Sequence, residues 1–232
     1  VLLAGKYGTP LYLLDEAYIR NMCRMYREAM KEAFGGLSKP MFASKALSFK
    51  RIYQIIAEEG VGVDVASPGE LYTALVAGFD PQNIVFHGNN KTLAELDEAV
   101  KAGVGRVVVD NIYELENLSK AAKKQGKTVG VLLRIKPGID AHTHSFIMTG
   151  QIDSKFGFAL ETGEAMDGVK AAIAAENIDF KGVHCHIGSQ IFDTEPFVTT
   201  AEIMMKFLSD IKKETGFTVK DLNLGGGFGI RY

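Results

Sequence analysis

The amino-acid sequence predicts an α/β protein with the fold of a (β/α)8 TIM-like barrel, in which about seven of the eight strands are present. Short β-rich runs alternate with helical patterns at a spacing of roughly 20–25 residues, which is typical of parallel βα units. Several runs, such as residues 107–109 and 131–133, are apolar throughout, as strands covered on both faces are. The 232 residues fall just below the ~250 of a closed barrel. An open doubly wound sheet shows the same alternation, but the even recurrence of so many units favours the barrel.

A leading segment precedes the barrel. Residues 1–35 are predicted as an N-terminal segment with one helix, and residues 36–232 as the barrel domain. The helix is amphipathic, since its apolar residues fall on one stripe: Ile19, Met22, Cys23, Tyr26 and Met30.

Each predicted strand except the last is followed by a helical pattern. Two helices start at capping boxes, Ser67-Pro68-Gly69-Glu70 and Thr92-Leu93-Ala94-Glu95, and the first has proline at the first helical position. A long helix is predicted to start at Thr194. The predicted strands are residues 41–45, 61–66, 84–87, 106–109, 128–135, 181–187 and 222–224.

The composition argues against several classes of protein. Lys and Arg (26) nearly balance Asp and Glu (28), so no basic surplus indicates a nucleic-acid or anionic membrane partner. Two cysteines do not make a disulfide framework, and no run reaches the roughly 18 apolar residues of a membrane span. The N-terminus shows no signal-peptide pattern. We therefore expect a cytoplasmic protein.

Lys45 lies at the carboxyl end of the first predicted strand, where a barrel opens to its ligands. One interpretation is a solvated surface lysine. The other is a Schiff-base lysine, whose partly desolvated ammonium has a lowered pKa so that the neutral amine is available.

A glycine run follows the last predicted strand. Gly225, Gly226 and Gly227 allow the backbone to approach a ligand closely and to turn its N–H groups inward. In barrels the loops after strands seven and eight are the usual phosphate site. The spacing does not match a dinucleotide fingerprint. A flexible loop is the alternative interpretation.

Two histidines end the sixth predicted strand. Period-two geometry places His184 and His186 on one face and Cys185 on the other. The His186 ring could stack on a planar cofactor, and Ser189 could donate to a phosphate. We favour a hydrogen-bonded interior role for His184 and apolar filling for Cys185. A metal site, extended by His142 and His144, would need a carboxylate that does not stand out, so none is predicted.

Further charged residues fall inside apolar strands or beside them. Asp64 and Arg134 would each be costly to bury alone, so the sequence predicts a buried Asp64–Arg134 pair. Glu70 is ambiguous because the capping box already accounts for it. The stretch 87–91 could line the barrel mouth or cap the next helix.

In their order along the chain, these motifs resemble the fold-type III PLP-dependent decarboxylases, whose barrel is of the alanine racemase type. The stretches 149–157 and 184–190 resemble the branch that acts on diaminopimelate rather than the ornithine or arginine branches. The matching segments are residues 7–12 (YGTPLY), 42–46 (FASKA), 62–67 (GVDVAS), 87–91 (HGNNK), 149–157 (TGQIDSKFG), 184–190 (HCHIGSQ) and 225–229 (GGGFG).

The resemblance implies a cofactor, pyridoxal 5'-phosphate, and roles for individual residues. Lys45 matches the lysine that holds the cofactor, and His186 matches the histidine stacked on its ring. Ser189 and Gly225–Gly227 match the phosphate-binding groups. Four further residues match polar positions around the site: Asp64, Glu70, Arg134 and Lys155.

The resemblance also implies an activity. The expected reaction is decarboxylation of meso-diaminopimelate to L-lysine and CO2, the last step of lysine biosynthesis, by a homodimer acting on a small amino acid. The family continues into an eighth strand with a Glu-Pro-Gly-Arg motif and a β-domain with a Cys-Glu-Ser motif, which this sequence lacks. We therefore expect a fragment with little activity alone and, because open strand edges are unpaired, with marginal stability.

Three alternatives to this function remain. One is a non-catalytic single-barrel PLP-binding protein, since such carriers have about this length. Another is a different PLP enzyme of the same fold, either another decarboxylase or alanine racemase. The third, from another class, is a metal-dependent barrel hydrolase that uses His184 and His186.

Overall fold

The structure is a computed structural model that describes residues 1–139 and 156–231. The predicted site residue Lys155, together with His142 and His144, lies outside these residues. Two short 3-10 turns occur, at Ser44–Ala46 and Pro81–Asn83. The helices are α1 (Leu2–Tyr7), α2 (Glu16–Phe34), α3 (Lys50–Glu58), α4 (Pro68–Val76), α5 (Leu93–Ala102), α6 (Ile112–Lys124), α7 (Glu164–Ala174) and α8 (Glu195–Thr215).

The strands form one parallel sheet in the order β1-β2-β3-β4-β5-β7-β8, and β6 pairs with the end of β5. They are β1 (Met41–Ala43), β2 (Gly62–Val65), β3 (Ile84–Phe86), β4 (Arg106–Val109), β5 (Val129–Lys136), β6 (Phe158–Ala159), β7 (Ile178–Cys185) and β8 (Asp221–Asn223).

The predicted fold is confirmed, because all seven predicted strands form and each main connection carries a helix in parallel βα order. β6 was not predicted, since a two-residue strand has no readable alternation. The first strand ends two residues earlier than predicted, so Lys45 lies in the 3-10 turn that follows it. Within the described residues β1 and β8 pair with one neighbour each, which leaves the barrel open between them.

Capping explains where several helices begin. The Thr92 Oγ1 accepts the N–H of Glu95 while the Glu95 carboxylate accepts the N–H of Thr92, which is the predicted capping box. Helix α4 starts with Ser67 as its cap and Pro68 in its first turn.

Most of the apolar core lies between the sheet and the helices. Alternate strand residues point outward, and those of β2 and β4 are fully buried there: Val63, Val65, Val107 and Val109. Apolar residues on the inner faces of α3 to α8 cover them, among them Ile56, Leu118, Val169 and Met204. We call this region the outer core.

The interior of the barrel contains a much smaller apolar cluster. It consists of the inward-facing Val85, Val108 and Leu132, with Met41 packed against them. On the amino-terminal side, Arg106 pairs with Asp221 across the barrel at 2.6 Å. Toward the carboxyl ends of the strands, inward positions carry the ionisable side chains of Asp64, Arg134 and His184, which places these three at one opening.

Helix α2 packs against α3 through charged side chains. Asp15 caps the helix by accepting the N–H of Tyr18. Glu59 accepts hydrogen bonds from Arg24 and Arg20, which lower the pKa of its carboxyl to about 2.

Across the described residues, no helix combines the length and apolar character that a membrane crossing requires.

Candidate functional site

Lys45 is exposed in the 3-10 turn at the carboxyl end of β1. Its neighbour Ser44 is fully buried, and the Ser44 hydroxyl donates to the backbone oxygen of Asp64 at 2.9 Å. Because Ala43 and Asp64 are also register partners, this bond fixes the turn against β2. The turn therefore presents the lysine amine at the barrel opening beside the Asp64 carboxyl.

Burial controls the ionisation of Asp64. Desolvation raises the pKa of its carboxyl to about 7, and the nearby Lys45 ammonium opposes this rise most strongly. Glu70 acts in the opposite direction as a like charge. The Glu70 carboxylate also accepts the N–H of Ala66 at 2.5 Å, so Glu70 supports the start of α4 while it lies close to Asp64. Asp64 is thus poised to titrate near neutral pH.

The predicted buried Asp64–Arg134 pair is wrong. Among the described residues, the ion-pair partner of Arg134 is Asp110, with 3.8 Å between Nη1 and Oδ1. The reason is strand order: Arg134 is on β5, whose neighbour is β4, and Asp110 follows the last residue of β4. Asp64 is on β2 and contributes only a weaker electrostatic attraction to Arg134.

Two histidines pack against each other inside the barrel. The rings of His87 and His184 have centroids 4.6 Å apart in an edge-to-face arrangement. Burial lowers the pKa of His87 to about 3 and that of His184 well below its usual value, so both rings are neutral at neutral pH. Within the described residues, His87 Nε2 and His184 Nδ1 have no hydrogen-bond partner. The expected hydrogen bond of an interior His184 is therefore not found at Nδ1.

The glycine run packs against His186. A Cβ atom on Gly225 would lie 3.1 Å from His186 Nδ1, and one on Gly227 would lie 3.3 Å from His186 Cε1. The φ angles of these glycines, +76° and +93°, are also unfavourable for other residues. Burial lowers the pKa of His186, with Arg134 and Lys45 adding to the effect. Cys185 faces the outer core as predicted, where burial raises its thiol pKa to about 12.

The loops after β7 and β8 are joined by backbone hydrogen bonds. The N–H of Ile191 donates to Gly227 at 3.0 Å, and the N–H of Gly229 donates to Ile191 at 2.8 Å. Within the part of the chain that the structure describes, the N–H groups of Ser189, Gly226 and Gly227 donate to no protein acceptor. Together with the exposed Ser189 hydroxyl, they form a set of donors suited to an anion.

The structure therefore brings most of the predicted site residues to one opening. Electrostatic contacts connect Lys45 with Asp64 and His186, and Glu70 and Arg134 act on Asp64 as well. Sequence reasoning missed Asp110, although it ends an apolar strand just as Lys45 follows one. No group of three metal-ligating side chains occurs among the residues described, so the metal site has no support in these residues.

Comparison with known proteins gives a consistent family assignment. A family model described as the pyridoxal-binding domain of pyridoxal-dependent decarboxylases matches residues 17–232. The chain is 50% identical over 230 residues to diaminopimelate decarboxylase of Bacillus subtilis, covering 99% of this chain and 52% of that protein. The corresponding protein of Bacillus methanolicus is 48% identical over 230 residues, covering 99% of this chain and 53% of that protein.

A solved structure agrees with these sequence relatives. Diaminopimelate decarboxylase from M. jannaschii in complex with L-lysine superposes with a TM-score of 0.90 at 40% identity, covering 99% of this chain and 53% of that one. The chain spans about half the length of the curated relatives it matches. On the strength of the family match and of the barrel they share, the chain belongs to the pyridoxal-dependent decarboxylase family, in the region of its pyridoxal-binding domain.

Proposed function

We propose that this chain provides the cofactor-binding barrel of an enzyme that decarboxylates meso-diaminopimelate to L-lysine and CO2, the last step of lysine biosynthesis. The observation that carries the proposal is the placement of the Lys45 amine beside the Asp64 carboxyl, across from the glycine-packed His186. Relatives named diaminopimelate decarboxylase support the substrate, as does the L-lysine bound in a related structure.

The residues of the opening fit pyridoxal 5'-phosphate, the cofactor of this family. The glycine run gives backbone space and unused N–H groups for a phosphate, and Ser189 adds a hydroxyl. A Cβ at Gly225 would collide with the backbone oxygen of Cys185, and one at Gly227 would collide with that of Gly188, so only glycine lets the loops after β7 and β8 pack this closely. When bound, the cofactor supplies an aldehyde that combines with amines and a conjugated ring that takes up the electron pair of the departing carboxylate.

In this proposal Lys45 supplies the amine that attaches the cofactor, and Asp64 supplies a carboxyl group close to that amine. The Lys45 Nζ lies at the opening, where it can attach the cofactor and exchange with a substrate amine. The Asp64 carboxyl, with a pKa near 7, can hold or release a proton close to this amine at neutral pH. Burial keeps the Asp64 pKa raised, and the like charge of Glu70 adds to this.

His186 supplies a flat neutral surface. Its lowered pKa keeps the imidazole uncharged at neutral pH, and the glycine run fixes the ring on one side. A ring held in this way can stack against a planar cofactor and so help to orient the substrate bond that breaks. Arg134 completes the proposed set as a cationic residue at the opening, and the family resemblance adds Lys155, which lies outside the described residues.

The wider organisation forms part of the same proposal. Residues 36–232 form the cofactor-binding barrel, and residues 1–35 form a leading segment that docks on it. The acting enzyme is a cytoplasmic homodimer that takes a small amino acid as its substrate. The near balance of charges and the two buried cysteines support a reduced, intracellular setting.

Reductive trapping tests the proposal. The natural full-length protein is incubated with pyridoxal 5'-phosphate, reduced with borohydride and mapped by peptide mass spectrometry, and CO2 release from meso-diaminopimelate is measured in parallel. We expect a single adduct on Lys45 together with CO2 release. Lys45→Ala should remove both, whereas Lys50→Ala, at another exposed lysine on the start of α3, should change neither. An adduct without decarboxylation would favour the carrier alternative, and an unmodified Lys45 would refute the cofactor site.

A further inference from the structure

A buried ion pair lies beside the opening and takes no part in the proposed chemistry. Lys91 follows β3 and Glu114 is on α6, and their side chains are only 2% and 4% exposed. The Lys91 Nζ is 2.7 Å from Glu114 Oε1 and also donates to the backbone oxygens of Gly88 and Val108. The ammonium thus donates two hydrogen bonds to backbone oxygens and forms an ion pair with the Glu114 carboxylate, so it contacts three different segments. This arrangement fixes the loop after β3 to β4 and to α6.

The second oxygen of Glu114 extends the arrangement to Asp110. Glu114 Oε2 accepts the N–H of Asp110 at 3.2 Å, and the N–H of Glu114 donates to Asn111 at 2.9 Å. The Asp110 carboxylate in turn forms the ion pair with Arg134. A continuous series of contacts therefore runs from Lys91 through Glu114 and Asp110 to the Arg134 guanidinium.

The Arg134 charge at the end of this series adds to the effect of burial on the histidines of the opening. The Arg134 charge helps to lower the pKa of His87, His184 and His186. A displacement of the guanidinium would therefore alter all three imidazoles. Apolar side chains can often replace a buried ion pair without loss of stability, but they cannot accept a backbone N–H or bind two carbonyl oxygens. The Lys91–Glu114 pair thus binds backbone groups of the neighbouring segments, which apolar side chains at these positions could not do.

We propose that Lys91 and Glu114 are positioning residues, which hold Asp110 and through it place the Arg134 guanidinium at the cofactor opening. This inference rests on the proposed function, because the opening that Arg134 faces is the proposed cofactor site. Neither Lys91 nor Glu114 touches the reacting groups. Lys91 also acts on Asp64 and His87 through its charge. The positioning effect is separate from this and is exerted through the backbone N–H of Asp110 and the carboxylate that this residue presents.

A pair of double variants in the natural full-length protein tests the proposal, with equilibrium binding of pyridoxal 5'-phosphate followed by absorbance. K91M/E114L removes the acceptor for the Asp110 N–H, and we expect the dissociation constant to rise about tenfold or more. K91M/E114Q removes the same charges but keeps a side-chain oxygen, and we expect binding within about threefold of wild type. K123M/E176Q, at an exposed ion pair of 2.8 Å, is the matched control and should change binding less than twofold.

Combining K91M/E114L with a substitution of Arg134 distinguishes an effect on the position of Arg134 from a general loss of stability. In an Arg134→Lys background, K91M/E114L should weaken cofactor binding by less than about twofold, because residues that act through one another are not additive. A full tenfold effect in that background would overturn the proposal, as would wild-type binding by a folded K91M/E114L. If K91M/E114L does not fold, cofactor binding is measured on Asp110→Asn instead, since this variant leaves the Lys91–Glu114 pair intact. Weakened binding by this variant supports the proposal, and unchanged binding overturns it.

The wild-type measurement keeps the two proposals apart. If wild-type protein binds no cofactor and Lys45 is not trapped, the proposed function fails. If wild-type protein binds the cofactor and the variants bind it equally well, only the positioning proposal fails. The pH dependence of binding gives a second readout, because a displaced Arg134 charge lets the pKa of His186 rise towards its usual value. K91M/E114L should therefore lose affinity at a higher pH than wild type as the medium is acidified.

Discussion

The two faces of the sheet have opposite chemistry. Outward-facing strand residues pack against the helices in the outer core, which is apolar and continuous around the sheet. Inward-facing residues form a cluster of three buried aliphatic side chains with Met41, and Asp64, Arg134 and His184 place ionisable groups nearer the opening. Because side chains alternate along each strand, one backbone serves both faces. Stability is concentrated on the outer face, which leaves the inner face available for groups that burial makes costly.

The largest expected effect is on the outer face. Phe158 is fully buried beneath α7, where a Cβ on Gly168 would lie 2.9 Å from its ring. Phe158→Ala removes this ring and leaves a cavity, so we expect a loss of about 3–5 kcal/mol in the free energy of unfolding. Denaturant unfolding measures it. Phe34→Ala, at a side chain that is 61% exposed, is the control and should cost under ~0.5 kcal/mol. Equal losses would show that the outer core is not the source of stability.

Two adjacent residues of β7 test the contrast within one strand. Val183 faces the outer core, and Val183→Ala should lower stability by about 2 kcal/mol while leaving cofactor binding unchanged. His184 faces inward with an unpaired buried nitrogen among the described residues, and His184→Leu should raise stability by about 1 kcal/mol. The same change should weaken cofactor binding. Thermal melts measure the stability of both variants, and titration measures their cofactor binding. A loss of stability in His184→Leu would contradict the conclusion that stability is concentrated on the outer face.

The last expected effect is a pH dependence of stability. The pKa of Asp64 rises from 3.8 to about 7 on folding, so the folded protein binds more protons than the unfolded chain between these values. Stability contributed at this site is therefore present below pH 3.8 and is lost as the pH rises towards 7. Asp64→Asn should remove this decline, which unfolding experiments between pH 4 and 8 would detect. Asp97→Asn, at a carboxyl whose pKa is lowered by Lys124, should leave it in place.

The same contrast explains how far the sequence could predict the structure. Apolar runs such as residues 131–133 locate the strands because the outer core must be apolar, and capping residues such as Thr92 locate helix starts. Alternation also predicts correctly that Cys185 faces away from His184. It does not predict which inward residues meet, since that depends on strand neighbours. The cost of burying a charge predicts that Asp64 and Arg134 pair with each other. The partner of Arg134 is instead Asp110, which directly follows the adjacent strand β4.

The joining of the loops after β7 and β8 has a consequence for the order of events during synthesis. Gln190 exchanges two hydrogen bonds with Ile230, next to the contacts between Ile191 and Gly227, so the set of donors formed by Ser189, Gly226 and Gly227 needs both loops. Lys45 precedes Gly225 by 180 positions (225 minus 45). At roughly 5–20 residues per second, a ribosome takes roughly 10–40 s to cover that distance. In the function proposed above, the nascent chain therefore presents the Lys45 amine before the proposed phosphate site is formed, and we expect cofactor loading to follow the emergence of the last loop from the ribosome.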